Sequence, residues 1–137
     1  MKKLITLIFA IVMILFCAAV FSEAAEVDLD LTALSGTLLT DRLAEIRADP
    51  ETYAGKTLRV RGQYYAMVSG GDVQHSLIVC DECHCTEVGI TMVAGAETEM
   101  VWPENNTRIE ITAAVESYVN SAGILTARLV VSSLLPQ

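Results

Sequence analysis

Apolar and polar residues alternate along several stretches of the chain after residue 56, and this period of two is typical of half-buried β-strands. In the first stretch, Leu58, Val60 and Tyr64 occupy alternate positions. Turn-forming residues separate the stretches, among them Ser69-Gly70-Gly71-Asp72. We therefore predict five strands, which cover residues 57–68, 73–80, 88–94, 108–119 and 124–132.

A second periodicity precedes the strands. The apolar residues that recur there at helical spacing are Leu38, Leu39, Leu43 and Ile46. Thr37 or Thr40 can cap the start of this segment, and Asp49-Pro50 can end it. The pattern predicts one short amphipathic helix ahead of a small closed or sandwich-like β-domain.

The opening strand also carries a family resemblance. Residues 55–62 read Gly-Lys-Thr-Leu-Arg-Val-Arg-Gly, with a glycine-lysine start and a second glycine where the strand coils. This segment resembles the first strand of many bacterial OB-like domains. Residues 38–135 as a whole resemble small uncharacterised secreted OB-like proteins of bacteria, in which a cysteine-containing turn precedes a Gly-Ile step like Gly89-Ile90. The resemblance implies a mainly β fold, a five-stranded Greek-key barrel preceded here by one short α-helix, and it implies no activity.

The N-terminus has the organisation of a secretory leader. Lys2 and Lys3 precede an apolar run over residues 4–21, and Ser22-Glu23-Ala24 offers small residues at the positions that a signal peptidase reads. We predict a secreted, periplasmic or cell-surface protein. An uncleaved membrane anchor and a lipidated Cys17 are the alternatives.

The predicted layout has three segments: a signal peptide at residues 1–24, a flexible tether at 25–36 that becomes ordered near Leu31 or Leu34, and an OB-like domain at 37–137. The chain has 17 acidic and 9 basic residues and a formal net charge of −8. This balance disfavours nucleic-acid partners, because binding phosphates depends on clustered lysine and arginine. The charge is compatible with cations and with neutral or basic partners. Contact with a membrane through a retained leader is a further possible interaction.

The densest concentration of reactive side chains is the run Cys-Asp-Glu-Cys-His-Cys at residues 80–85. Two residues between Cys80 and Cys83 let a tight turn aim both sulfurs at one ion, as in a zinc knuckle. Cys85 lies two positions beyond Cys83, so both side chains point the same way in an extended chain. We predict a site for zinc or a similarly thiophilic ion, with the ligands Cys80, Cys83, His84 and Cys85.

Other chemistries fit the same run. In an oxidising compartment, Cys80 can form a disulfide with Cys83 or Cys85, which leaves one thiol over. The run also contains C-x-x-C-H, the attachment sequence of haem c. Thiol–disulfide catalysis is disfavoured, because neighbouring carboxylates raise a thiol pKa.

A second candidate site is a basic and aromatic face. Arg59 and Arg61 point outward from the first predicted strand, with Tyr64 and Tyr65 nearby. Such a face is suited to binding an oligosaccharide or oligonucleotide. The same residues are equally typical of a solvated surface whose basic side chains balance acidic neighbours. The sequence contains no Ser-His-Asp set, nucleophile elbow or phosphate loop, so we predict a binding domain and not an enzyme.

Overall fold

The computed structural model describes residues 26–137. The predicted signal peptide and Cys17 lie outside the described residues. Within residues 26–137, no helix combines the length and the apolar character needed to cross a membrane.

Six strands within residues 26–137 form one sheet. They are β1 Leu29–Asp30, β2 Thr57–Ser69, β3 Asp72–Cys80, β4 Glu87–Ala94, β5 Arg108–Val119 and β6 Leu125–Pro136. Strands β2 to β6 close into a barrel in the order β2-β3-β4-β6-β5, with β5 pairing back to β2. β4 and β6 run parallel, and the other neighbours in the barrel are antiparallel. The predicted fold class, a five-stranded OB-like barrel with a short helical region, is confirmed.

Strand β2 closes the barrel because it changes partner along its length. Residues 57–63 pair with β5, and residues 63–69 pair with β3. Gly62 lies at this change. A Cβ atom there would stand 2.8 Å from the backbone oxygen of Ile78 and 2.8 Å from Cδ1 of Leu77. Glycine is therefore the residue that lets the two strands approach each other.

The edge of β2 that faces β3 is covered in two separate places. β1 pairs with it at Leu58 and Arg59, and β3 pairs with it from Gln63 onward. Between these points, residues 60–62 have strand partners on β5 alone. A gap in the sheet therefore lies between β1 and β3.

Helix α1 Gly36–Ala48 packs against β3, β4 and β6, and the short helix α2 Pro50–Tyr53 follows it. Leu39, Leu43 and Ile46 are buried on the side of α1 that faces the barrel. Leu38, which the sequence assigns to the same apolar set, is 67% exposed. The predicted helix is present and ends before Pro50, but its buried face is narrower than its apolar sequence indicates.

Part of the predicted tether belongs to the folded domain. β1 runs parallel to β2, the Leu31 N–H donates to the carbonyl of Arg59 at 2.8 Å, and the Leu31 side chain is buried. The Asp28 carboxylate also accepts a hydrogen bond from the Thr57 N–H at 2.9 Å. The chain thus joins the barrel slightly earlier than the sequence predicts, because a two-residue strand is too short to produce a periodic signal.

The core is built from the inward-facing positions of all five barrel strands and the buried side of α1. Its fully buried large side chains include Leu43, Ile46, Leu58, Leu77, Ile111 and Leu129. β6 extends to Pro136, beyond the predicted end at residue 132. This extension pairs with the start of β5 and brings the C-terminal residues beside Arg108.

Candidate functional site

The cysteine run occupies a short connection between β3 and β4. Cys80 is the last residue of β3 and lies opposite Glu87, the first residue of β4. Residues 81–86 form the turn between them, which we call the cysteine loop. The backbone N–H of Asp81 donates to the carbonyl of Thr86 at 3.1 Å, so the loop closes at its base.

Asp81 organises the interior of the cysteine loop. Its carbonyl accepts a hydrogen bond from the His84 N–H at 3.1 Å, and its Oδ1 accepts one from the Cys85 N–H at 2.8 Å. Oδ1 also lies 3.5 Å from the sulfur of Cys83. The hydrogen bonds from the N–H groups of His84 and Cys85 therefore hold the loop independently of any bond between sulfur atoms.

Cys83 and Cys85 form a disulfide across His84, with their Cα atoms 5.3 Å apart. His84 has a φ of +56°, in the left-handed region, and this turns the chain so that the flanking side chains converge. The pairings of Cys80 with Cys83 or Cys85, considered from sequence, are wrong. The end of β3 fixes Cys80 in the ladder, whereas Cys83 and Cys85 both lie on the turn.

Cys80 is the free cysteine among residues 26–137 and is half-buried. Its thiol lies 3.8 Å from Oε1 of Glu87. Burial first, and then the negative charge of Glu87, raise the pKa of the Cys80 thiol above its ordinary value.

Glu82 joins the cysteine loop to helix α1. Its carboxylate accepts hydrogen bonds from the backbone N–H of Thr37 at 3.1 Å and from the Thr37 hydroxyl at 2.8 Å. Ser35, at the N-cap position, makes no capping hydrogen bond with its side chain. The cap predicted at Thr37 or Thr40 is therefore wrong, since the capping group comes from the loop. Its own backbone N–H and the Thr37 donors lower the pKa of Glu82.

The four predicted metal ligands are brought to one place but are not arranged around one point. Within residues 26–137, no group of three or more histidine, cysteine and acidic side chains is positioned to hold a metal ion. Cys83 and Cys85 are bonded to each other, and the sulfur of Cys80 faces Glu87. His84 is exposed. The sulfurs of Cys83 and Cys85 can act as thiolate ligands only when the bond between them is open.

A cleft of about 620 Å³ borders the cysteine loop. Its lining includes Arg61 and Gly62, which lack a strand partner on the β3 side of β2. Residues between Thr32 and Leu39 also line the cleft, as do Cys80, Asp81 and His84 at the end of β3 and in the cysteine loop. Arg61, Gln63 and Arg108 line it as well. Gln63 is not a candidate from sequence, because it reaches the cleft through its pairing with Arg108, which depends on the long-range closure of the barrel.

The predicted ligand-binding face does not form as a set of four. Arg59 and Arg61 lie on either side of Glu110, whose carboxylate is 2.7 Å from Nε of Arg61 and 4.0 Å from Nε of Arg59. Tyr65 is 42% exposed, but Tyr64 is 2% exposed and belongs to the core. Alternation along β2 places Tyr64 on the inner side. Of the four residues, Arg61 alone lines the cleft.

Tyr64 contributes instead to an aromatic stack at the other end of β2. Its hydroxyl lies 2.6 Å from Nδ1 of His75, and the His75 ring stacks on Trp102 with centroids 3.9 Å apart and planes 9° apart. Burial lowers the pKa of His75 and raises that of Tyr64, so both rings stay neutral near pH 7. His75 is therefore half-buried among these rings, and alternation along β3 places it on the side of the strand opposite Cys80.

No model of a known protein family matches the chain, and no curated protein matches its sequence.

Proposed function

We propose that the protein is a non-catalytic, extracytoplasmic OB-like domain that binds zinc or a similarly thiophilic metal ion at the cysteine loop. The binding form is the dithiol, in which the bond between Cys83 and Cys85 is open. Cys83 and Cys85 are the first two ligands. Cys80 and His84 complete the set.

The observation that carries this proposal is the convergence of the Cys83 and Cys85 side chains on a loop that is held by other contacts. On a tetrahedral zinc ion with bonds of about 2.3 Å, two sulfur ligands lie about 3.8 Å apart, which is roughly the contact distance of unbonded sulfur atoms. Opening the bond therefore leaves two thiols near the separation that the ion needs, with little movement of the backbone.

The remaining ligands are within the reach of side-chain rotations. His84 lies between the two thiols in sequence and is exposed, so its imidazole is free to turn toward the ion. Cys80 lies at the base of the same loop. The carboxylates of Asp81 and Glu87 adjoin the thiols of Cys83 and Cys80 and raise the local concentration of cations.

A competition titration tests the proposal. The protein is reduced with a phosphine, freed of reductant, and titrated with zinc against a chromophoric chelator. We expect one zinc per chain with a dissociation constant below about 1 μM. Replacing Cys83 or Cys85 by serine should weaken binding at least about 100-fold, since each change removes a ligand. His84→Gln should also weaken it, whereas His75→Gln, which alters the other histidine, should not.

The same experiment distinguishes the metal, disulfide and haem hypotheses for residues 80–85. A reduced protein that takes up no zinc would contradict the proposal and leave the disulfide as a local crosslink. Protein isolated from its own cells with a Soret absorption band would instead support attachment of haem c through Cys80 and Cys83. Equal zinc affinity in the wild type and in the Cys83→Ser variant would also contradict the proposed ligand set.

A second candidate function is binding of a small molecule in the cleft. Its volume lies within the range of small-molecule sites. The lining combines apolar side chains such as Leu34 and Ile78 with the guanidinium groups of Arg61 and Arg108. The carboxylates of Asp81 and Glu87 line it as well, and so does a stretch of β2 without a strand partner on one side. Within residues 26–137, Arg108 forms no ion pair, so its charge is available to an oxyanion.

This candidate is tested with 8-anilinonaphthalene-1-sulfonate, a probe that joins an apolar body to one sulfonate. We expect one saturable site in a fluorescence titration, weakened by Arg108→Gln. Arg128→Gln is the matched control, because Arg128 pairs with Glu116 and does not line the cleft. Binding that is unsaturable, or that both substitutions weaken equally, would contradict a site in the cleft.

A further inference from the structure

We infer that the bond between Cys83 and Cys85 opens and closes reversibly and thereby controls metal binding at the cysteine loop. The disulfide form excludes the ion, and the dithiol form accepts it. This inference rests on the proposed metal-binding function and names how that site is regulated.

The first observation is that this disulfide is poorly suited to a structural role. It joins residues two positions apart, and the entropy that a crosslink removes from the unfolded chain is smallest for the shortest rings. Both ends also lie on the same turn, so the bond connects no two separate elements of the fold. A bond that adds little to folding can open without unfolding the domain.

The second observation is that the loop has its own supports. The closing hydrogen bond from Asp81 to Thr86 and the bond from the Cys85 N–H to Asp81 involve no sulfur. Glu82 ties the loop to α1 through Thr37. These contacts remain when the disulfide is reduced, so the two thiols stay beside each other and are ready to bind or to re-form the bond.

The third observation is access. Cys83 and Cys85 are both exposed, whereas Cys80 is half-buried at the end of β3. Thiol–disulfide exchange needs a thiolate to reach a sulfur atom, and exposed disulfides are the ones that small thiols reduce. Exchange should therefore act on the Cys83–Cys85 bond and leave the barrel untouched.

The chemistry balances with a small thiol as reductant. One thiolate attacks a sulfur of the Cys83–Cys85 bond and forms a mixed disulfide, and a second thiolate displaces the remaining cysteine. Two electrons pass to the protein, which gains two thiols, and the small thiol leaves as its own disulfide. In the opposite direction, a small-molecule disulfide accepts two electrons from the metal-bound dithiolate. The ion is released when the Cys83–Cys85 bond forms.

Glutathione buffers with zinc test the inference. The full-length protein is equilibrated at a series of ratios of reduced to oxidised glutathione. Peptide mass spectrometry then measures the Cys83–Cys85 bond, and elemental analysis after gel filtration measures bound zinc. We expect the two quantities to change together, in opposite directions, over one reversible transition. Cys80→Ser should keep the reversible transition of the disulfide, whereas Cys83→Ser should abolish it.

The outcomes separate the two proposals. Zinc that stays bound after the Cys83–Cys85 bond forms would overturn the regulation and the assignment of Cys83 and Cys85 as ligands. A bond that opens only in denaturant would overturn the regulation alone, provided that the protein refolded in its dithiol form binds zinc. A reversible bond in a reduced protein that never takes up zinc would overturn both the proposed function and its regulation. Circular dichroism of both forms must show the same barrel, since loss of the fold on reduction would also overturn the inference.

Discussion

The carboxylate of Glu82 caps helix α1 by accepting two hydrogen bonds from Thr37, one from its backbone N–H at 3.1 Å and one from its hydroxyl at 2.8 Å. The two residues are 45 positions apart in sequence. A carboxylate at the start of a helix satisfies a free N–H group and interacts favourably with the helix dipole. Helix α1 and the cysteine loop therefore stabilise each other.

We expect Glu82→Ala to lower the melting temperature and to accelerate hydrogen exchange at the Thr37 amide, since that N–H loses its partner. Glu97→Ala is the matched control, because it removes an exposed carboxylate from the connection between β4 and β5. If the two substitutions have the same effect on exchange at Thr37, Glu82 does not cap the helix.

Gly36 provides a steric test of the same contact. Its φ is +56°, and a Cβ atom there would overlap the carboxylate of Glu82. Gly70 has a φ of +62° and open space around its Cβ position. Both alanine substitutions carry the left-handed strain of about 1–2 kcal/mol, but Gly36→Ala must also displace Glu82.

Denaturant unfolding should therefore show a larger loss of stability for Gly36→Ala than for Gly70→Ala. In a Glu82→Ala background the excess should disappear, because the displaced group is already absent. An excess that persists in this background would mean that the strain at Gly36 has another source.

The packing of α1 on the barrel is tested with two leucines of the same helix. Leu43 is fully buried against the core, and Leu38 is 67% exposed. We expect Leu43→Ala to reduce the free energy of unfolding by about 2–5 kcal/mol, through lost burial and the cavity left behind. Leu38→Ala should change it by less than about 0.5 kcal/mol. Similar losses for both would show that α1 does not pack in the described orientation.

The stack of His75 on Trp102 predicts a pH dependence. Burial lowers the pKa of His75 below its ordinary value of 6.5, so the unfolded chain takes up this proton at a higher pH than the folded chain. The stability that neutral His75 contributes is therefore complete above pH 6.5. It falls as the pH drops through the folded-state pKa.

Trp102, the single tryptophan of the chain, reports the change, since an imidazolium in contact with its ring quenches its fluorescence. We expect quenching with a midpoint below pH 6.5 that is lost in His75→Gln and kept in His84→Gln. A midpoint at or above 6.5 would contradict the burial of His75.

The individual strands follow from local patterns in the sequence, whereas their closure into a barrel is what the family resemblance implies. The bounds of β2 and β5 are predicted to within a few residues by the alternation along each strand, because one face of each strand is buried. The turn at Gly70-Gly71 marks the end of β2. β1 escaped prediction, since two residues contain no period. The exposure of Leu38 also escaped prediction, since the barrel covers only part of the apolar side of α1.

The arrangement of the cysteine loop and the cleft depends on three-dimensional contacts that local sequence patterns do not reveal. The close spacing of cysteine and histidine residues in the sequence indicates a site at residues 80–85. Which cysteines pair there depends on the left-handed turn at His84. Tyr64, predicted as part of a ligand-binding face, is buried, and its alternation with Leu58 and Val60 already indicates the inner side of β2. The cleft joins Arg61 to Arg108 only because β5 pairs back to β2, which no short stretch of sequence reveals.

Cobalt substitution measures most directly whether the dithiol form of the cysteine loop binds a thiophilic metal ion. Cobalt(II) in a tetrahedral thiolate site absorbs in the near ultraviolet by charge transfer from sulfur and shows visible bands of tetrahedral cobalt. One spectrum therefore reports binding, geometry and sulfur ligation together.

For the reduced protein we predict saturation at one cobalt per chain, displacement by one equivalent of zinc, and loss of the sulfur charge-transfer band in the double variant Cys83→Ser, Cys85→Ser. The disulfide form should give the spectrum of hydrated cobalt. A reduced protein whose spectrum also remains that of hydrated cobalt would contradict the account.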